Sequence, residues 1–225
     1  MPRRRPVLRA LVDELARSHP ELEDPRAAIT AGLVMVDGIV RLNPASLVRA
    51  GAAIALRSKR RLRGEPKLTA ALAAFGVSVA GRIALDVGAA AGGFTRVLLE
   101  AGASRVYAVD TGHGQLLGSL RLDPRVVNLE RTNLGALDRT LVPDVIELVT
   151  IDVSYLSLRE AAPQLEVLAF ASSAELVALV KPQFELCLPR LPTEPGELSA
   201  AVRSAEAGLN ESGWSVRASI PSPVE

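Results

Sequence analysis

Residues 81–102 read GRIALDVGAAAGGFTRVLLEAG, an apolar run that enters a glycine-rich turn and then a helical pattern. Ile83–Val87 is short, apolar and bounded by turn residues, the mark of a buried strand. The turn itself is Asp86-Val-Gly88-Ala-Ala-Ala-Gly92-Gly93-Phe94-Thr95. Small residues at a strand's carboxyl end let the backbone approach a ligand closely. The spacing GAAAGG is not the Gly-x-Gly-x-x-Gly that holds a pyrophosphate, so a dinucleotide-dependent oxidoreductase fails on the glycine positions.

Downstream, apolar runs at Val106–Val109, Val126–Leu129, Val145–Ile151 and Leu176–Val180 alternate with helical stretches. That alternation predicts an α/β, Rossmann-like parallel sheet with helices on both faces. Several of these runs end in charge: Asp110 after the second strand, Asp152 after the fourth, and Val180-Lys181-Pro182 after the fifth. A solvent-exposed strand end explains any one of them. Asp86, Asp110, Asp152 and Lys181 together on one sheet edge are harder to explain so, because an unpaired buried charge is costly. Asp110 is placed to accept hydrogen bonds from two ribose hydroxyls, and Glu130-Arg131-Thr132-Asn133 to reach an adenine edge.

Upstream, residues 1–57 form a small basic α+β unit. Leu8, Leu11, Val12 and Leu15 fall on one helical stripe. Asp24-Pro25 is a good cap and first-turn pair for a second helix, which runs through Ala27, Ala28 and Ile29 and stops at Gly32. Val34-Met35-Val36-Asp37-Gly38-Ile39-Val40 then reads as two short strands around an Asp-Gly turn, and Ala53–Leu56 closes the unit. Residues 58–66 read as a basic linker, and Lys67 opens an amphipathic helix ended by Gly76. Taken alone, Lys67 is a surface lysine in a first helical turn.

The chain has 225 residues, of which 48% are hydrophobic and 23% charged, an ordinary globular make-up. Residues 1–63 carry 13 Lys and Arg against 6 acidic residues, and residues 64–225 carry 13 against 19, so a basic segment of +7 precedes a body of −6. That asymmetry suggests a nucleic-acid grip joined to a body with another task. Aromatics are only 3%, which favours phosphate and shape recognition over base stacking on aromatic platforms. One cysteine, Cys187, and two histidines, His19 and His113, make disulfide and metal chemistry poor expectations. No apolar run reaches the roughly 18 residues of a bilayer span. Arg9, Asp13, Glu14 and Arg17 occupy the place where a signal peptide is apolar, so a cytoplasmic location is expected.

The phrase AAITAGLVMVDGIV at residues 27–40 resembles the core of S4 RNA-binding domains. The arginines at Arg3–Arg5 and Arg57–Arg63 would then face RNA. The glycine turn resembles that of S-adenosylmethionine (SAM) methyltransferases. With RTN at 131–133, DVSYLSL at 152–158 and LVKPQFE at 179–185, nearly the whole chain resembles the TlyA family of bacterial rRNA methyltransferases. That family joins an S4 domain to an FtsJ-like domain, residues 67–225 in this chain, and its members are often labelled haemolysins. No span, basic amphipathic helix or secretion signal in this sequence supports a pore.

The resemblance implies SAM as cofactor and a ribose 2′-hydroxyl of ribosomal RNA, with cytidine as the nucleoside, as methyl acceptor. The partner it implies is rRNA or a ribosomal subunit, with no metal and no membrane. The cofactor set would be Asp86, Gly88, Ala89, Gly92, Gly93 and Phe94 at the turn, with Asp110, Asn133 and Asp152 at later strand ends. A Lys–Asp–Lys–Glu set falls on Lys67, Asp152, Lys181 and Glu225. The family pattern runs on into another strand after that glutamate, and it has a glycine-rich loop where this chain has LCLPRLPTEPGE at 186–197. A ribose hydroxyl is a poor nucleophile at pH 7, so the protein must align it and help remove its proton. Lys181, near Lys67 and a sulfonium, would act as proton acceptor or stabilise the 2′-oxygen; Lys67 would position the substrate, and Asp152 and Glu225 would orient the ammonium groups. A non-catalytic RNA-binding protein that keeps the methyltransferase scaffold is the competing expectation.

Overall fold

The computed structural model describes residues 7–56 and 61–224. Arg3–Arg5, the first part of the Arg57–Arg63 cluster and Glu225 lie outside the described residues. Two compact units divide the chain, Met1–Arg61 and Leu62–Glu225.

In the first unit, β1 (Leu8–Ala10) leads directly into α1 (Leu11–Ser18), and α2 (Pro25–Thr30) follows. Next come β2 (Val34–Val36), β3 (Ile39–Val40), β4 (Leu47–Arg49) and β5 (Ile54–Leu56). Leu8 is therefore not part of the helical stripe. It lies on a strand, pairs with Arg49 and is exposed, while Leu11 and Leu15 are fully buried with Ile29, Val34, Val36 and Val48. The Asp24 carboxylate caps α2 by accepting the Ala27 N–H at 2.9 Å. Asp37 and Gly38 both take positive φ, and Val36 pairs with Ile39 across them, as a two-residue hairpin turn requires. Glu14 is nearly enclosed and accepts the Gly51 N–H at 2.8 Å and Arg9 Nη1 at 3.2 Å. The Gly51 N–H, with the Arg9 guanidinium, holds its carboxyl below the usual range.

In the second unit, α3 (Gly64–Phe75) precedes β6 (Ile83–Val87), α4 (Gly93–Glu100), β7 (Arg105–Asp110), α5 (Gly118–Arg121) and β8 (Val126–Glu130). The chain continues with β9 (Ile146–Ile151), α6 (Leu158–Ala161), β10 (Phe170–Ala178), α7 (Pro182–Glu185) and α8 (Pro195–Glu211). The strands form one parallel sheet in the order β10-β9-β6-β7-β8, which reverses direction of winding between β6 and β9. Successive residues of a strand face opposite sides. Thus Ala84, Val106, Ala108 and Leu148 pack with Leu68 and Leu98 of α3 and α4, whereas Leu85, Tyr107, Val149 and Ile151 pack with Leu158, Ala205 and Leu209 of α6 and α8.

Two boundaries differ from the sequence reading. The helix expected from Lys67 begins at Gly64, so residues 64–66 are not linker. Pro66 fits a first helical turn, where its missing N–H would be unpaired anyway. The last strand runs from Phe170 to Ala178, with a register shift between Phe170 and Glu175, and it ends before Val180. Lys181 stands three residues past the strand, in extended backbone as the N-cap of α7. The residue before a proline avoids the helical region, which puts the break there.

Gly88 follows β6 with φ +85°, and a Cβ there would lie 2.4 Å from the carbonyl oxygen of Asp152. Both partners are backbone, so neither can move aside cheaply. Gly88→Ala should lower stability by about 2 kcal/mol or more, through strained φ and the forced separation of β6 from β9. Urea unfolding monitored by circular dichroism checks this; a loss under a few tenths of a kcal/mol would mean that the close approach relaxes.

Candidate active site

At the carboxyl edge of the sheet, the turn after β6 is wedged between its neighbours. The N–H groups of Gly88 and Ala89 donate to the Val109 carbonyl at 2.9 and 3.0 Å, and the Asp152 N–H donates to the Val87 carbonyl at 2.8 Å. Asp110, at the end of β7, accepts the Ala90 N–H at 2.9 Å on one oxygen and the Gly112 N–H at 2.6 Å on the other. A carboxylate oxygen has two lone pairs, so each retains an acceptor direction, the pair that a ribose diol needs. Asn133 is exposed beyond β8, and its side chain caps nothing.

Beneath the turn, Asp86 is completely enclosed. Its two oxygens accept the hydroxyls of Thr95, at 2.6 Å, and Thr150, at 2.9 Å. Burial pushes its carboxyl up to about 6, with the Thr95 and Thr150 hydroxyls pulling back and the Asp152 charge adding to the rise. Asp86 therefore supports the turn from below, tying β6 to α4 and β9, and does not line its surface. Phe94 is likewise buried, with its ring against Gly64 in the packing of α3 on α4. Gly93 makes that packing possible, since a Cβ there would lie 3.0 Å from the Gly64 Cα; Gly92 (φ +94°) makes room instead for Leu120 of α5. The crossing is locked by Arg96 and Glu65 at 2.5 Å.

Asp152, just past β9, and Lys181, three residues past β10, come together. Lys181 Nζ lies 2.5 Å from Asp152 Oδ1 and 2.5 Å from Ser154 Oγ. The Asp152 oxygen is enclosed, and its contact with the ammonium is one of charge without hydrogen-bond alignment. Lys67 is half-buried in the first turn of α3, the turn whose Gly64 abuts Gly93 at the head of α4. It has no ion-pair partner among the described residues. The fourth member of the expected set, Glu225, lies outside them.

Several contributors were not visible in the sequence. Thr95, Thr150 and Ser154 are ordinary hydroxyl residues whose partners are set only by strand order. Glu130, expected with the adenine-reaching segment, turns instead to the loop after β7. It accepts the N–H groups of Gln115 (2.7 Å) and Leu116 (3.1 Å) and the amide of Asn128 (3.1 Å). Asn128 and these backbone donors hold its carboxyl down at about 2. Glu130 is in register with Asp110 on the neighbouring strand and fixes the loop that follows Asp110. Tyr155 is exposed on the loop after Asp152; partial burial and the Asp110 charge push its phenol up.

The sequence model of a family described as FtsJ-like methyltransferase matches residues 60–203. A Mycobacterium tuberculosis protein named 16S/23S rRNA (cytidine-2′-O)-methyltransferase TlyA is 46% identical over 176 residues, which are 76% of this chain and 64% of that protein. The match therefore spans under two thirds of that relative's length. Hemolysin A of Brachyspira hyodysenteriae is 38% identical over 184 residues, 77% of this chain and 75% of that one. Among solved structures, a candidate hemolysin of Streptococcus thermophilus superposes with a TM-score of 0.69 at 33% identity, covering 98% of this chain and 84% of the other.

The Asp86 environment has a pH signature. A folded-state value raised from 3.8 to about 6 means that folding favours the protonated acid. Its stability contribution is complete below about pH 4 and is lost as the pH rises through 6. Asp86→Asn removes that titration. Between pH 4 and pH 7 the parent protein should lose about 2–4 kcal/mol more than the variant, measured by urea unfolding at both pH values. Parallel pH profiles for the two would mean that the carboxyl is not so confined.

Proposed function

The chain belongs to the FtsJ-like methyltransferase family, and we propose that it transfers a methyl group from SAM to a ribose 2′-hydroxyl of ribosomal RNA. The observation that carries this reading is the ion pair of Lys181 with Asp152, at 2.5 Å, on the sheet edge beside the glycine turn. A scaffold kept only for RNA binding has no need of a half-buried Lys–Asp pair joined from two strands. The residues present also fit the cofactor. The turn after β6 has no side chain beyond a methyl from Gly88 to Gly93, and Asp110 keeps one free acceptor direction on each oxygen. The Gly88 turn, Asp110 and Asn133 would hold SAM, which supplies an already activated methyl group when bound.

What remains for the protein is alignment and the proton on the 2′-oxygen. An ammonium has three donors; Ser154 takes one and the Asp152 contact is one of charge, so a donor remains for the 2′-oxygen. As the ammonium, Lys181 donates to the 2′-oxygen and stabilises it as it loses its proton; as the neutral amine, it takes that proton itself and becomes the ammonium that Asp152 balances. Asp152 and Ser154 set where Nζ stands. Lys67 is assigned to substrate positioning. The basic first unit is assigned to the rRNA grip, and Arg26, Arg41 and Arg49 are exposed there without ion pairs among the described residues. The 46% identity to a protein named as a cytidine-2′-O-methyltransferase supports cytidine as the target.

Lys181→Ala should reduce methyl incorporation into rRNA by about 10²–10⁴-fold with SAM affinity retained, as expected when proton transfer loses its partner. A few-fold effect would not fit. Lys181→Arg separates the two roles, because a guanidinium cannot accept the proton. Full turnover with arginine would leave only electrostatic stabilisation.

For the RNA grip, replacing Arg26, Arg41 and Arg49 by Gln should weaken rRNA binding. It should also flatten the dependence of log Kd on log salt by about 0.7–0.9 for each phosphate no longer neutralised. An unchanged slope would move the grip elsewhere.

A further inference from the structure

Two segments carry the Lys181–Asp152 pair: the loop after β9, from Asp152 to the start of α6 at Leu158, and the turn after β10, from Leu179 to Glu185. They are joined a second time. Glu185 Oε1 accepts the N–H of Leu158 at 2.6 Å. On its own segment, the N–H groups of Phe184 and Glu185 both donate to the Lys181 carbonyl, at 3.0 and 3.2 Å. Lys181 and Glu185 are therefore the two ends of one hydrogen-bonded turn. The Glu185 carbonyl in turn accepts the Ser204 hydroxyl of α8 at 3.4 Å.

This carboxylate is an expensive group in its position. Glu185 is 8% exposed, and its Oε2 is enclosed without a hydrogen-bond partner. Burial pushes its carboxyl up, against the pull of the Leu158 N–H. Half-satisfied buried acceptors work against folding, and an apolar side chain would fill the space without that penalty. What the carboxylate adds is a strong acceptor of the right reach for the first N–H of α6.

We infer that Glu185 is a positioning residue that locks the turn after β10 to the loop after β9 and so holds the Lys181 ammonium against Asp152 and Ser154. Its consequence for turnover rests on the methyl-transfer reading; its consequence for Lys181 does not.

Lysine occurs only at positions 59, 67 and 181, so competitive acetylation of the full chain by acetic anhydride, read by mass spectrometry, reports Lys181 against Lys67. An amine held in an ion pair reacts when it is released. The Lys181/Lys67 labelling ratio should rise about fivefold or more in Glu185→Ala and in Glu185→Asp, whose carboxylate is one methylene too short for the Leu158 N–H. Glu185→Gln, whose amide oxygen can accept that N–H, should stay within about twofold. Methyl transfer should follow the same order. A fall in kcat of about tenfold or more is expected for the Ala and Asp variants, with SAM affinity unchanged, and near-parent turnover for Gln. The Asp variant keeps the test decisive if the Ala variant does not fold. Parent-like labelling in a folded Ala or Asp variant overturns the inference. Parent-like labelling together with a lower kcat overturns it too, since the loss then comes from elsewhere. A parent protein that transfers no methyl group overturns the proposed reaction, while the labelling still decides the role of Glu185.

Discussion

The second unit depends on one enclosed carboxylate. Asp86 sits at the end of the central strand, and its two hydrogen bonds reach α4 through Thr95 and β9 through Thr150. These are the elements between which the glycine turn must lie. With β6 and β9 drawn together, Gly88 comes against the Asp152 carbonyl, which admits no side chain between them. The rest of the edge follows from that approach. Asp152 is delivered beside the turn, Lys181 arrives from the adjacent strand, and the backbone of the turn supplies Ala90 N–H to Asp110. Burial moves the Asp86 carboxyl up, while the Thr95 and Thr150 hydroxyls pull it back and hold it in place.

The parts of this arrangement that could be read from the sequence are those where chemistry repeats locally. The expected Ile83–Val87 coincides with β6, because a parallel strand covered on both faces is apolar throughout. The Asp37-Gly38 hairpin was legible because few residues tolerate positive φ in succession. The short strands β1 and β4 were not: each is three residues long, and they pair across nearly the whole first unit, with Leu8 exposed instead of buried. Nor was the first half of β10, where Ala171-Ser172-Ser173 interrupts any apolar run. The charged strand ends pointed to the right edge of the sheet. The hydroxyl partners did not announce themselves, since Thr150 is 64 residues from Asp86 and Ser154 is 27 from Lys181.

Acidic residues therefore divide by environment more than by type. Asp110 and Asp152 stand half-buried at the carboxyl edge of the sheet, the first holding the Ala90 and Gly112 N–H groups and the second facing Lys181. Asp86, Glu130 and Glu185 turn their oxygens onto the protein's own donors and shape the segments around the first two. Among the carboxylates that face inward, Glu130 is set among many donors and falls to about 2, Asp86 is fully buried with only Thr95 and Thr150 donating and rises to about 6, and Glu185 accepts from Leu158 and is also raised. The trend follows the number of donors set against the loss of water.

The strand order also dictates a sequence of assembly. β6, β7 and β8 are consecutive in the chain and can pair as soon as residues up to Glu130 are available, with α4 already bringing Thr95 to Asp86. β9 closes on β6 only across the 64 residues that separate Thr150 from Asp86, and β10 can join only after it. Long closures of this kind are the slow steps of parallel sheets. Without β9, β6 has one open edge and Asp86 lacks the Thr150 hydroxyl. The turn after β6 acquires its contacts with the Asp152 backbone only once β9 is in place.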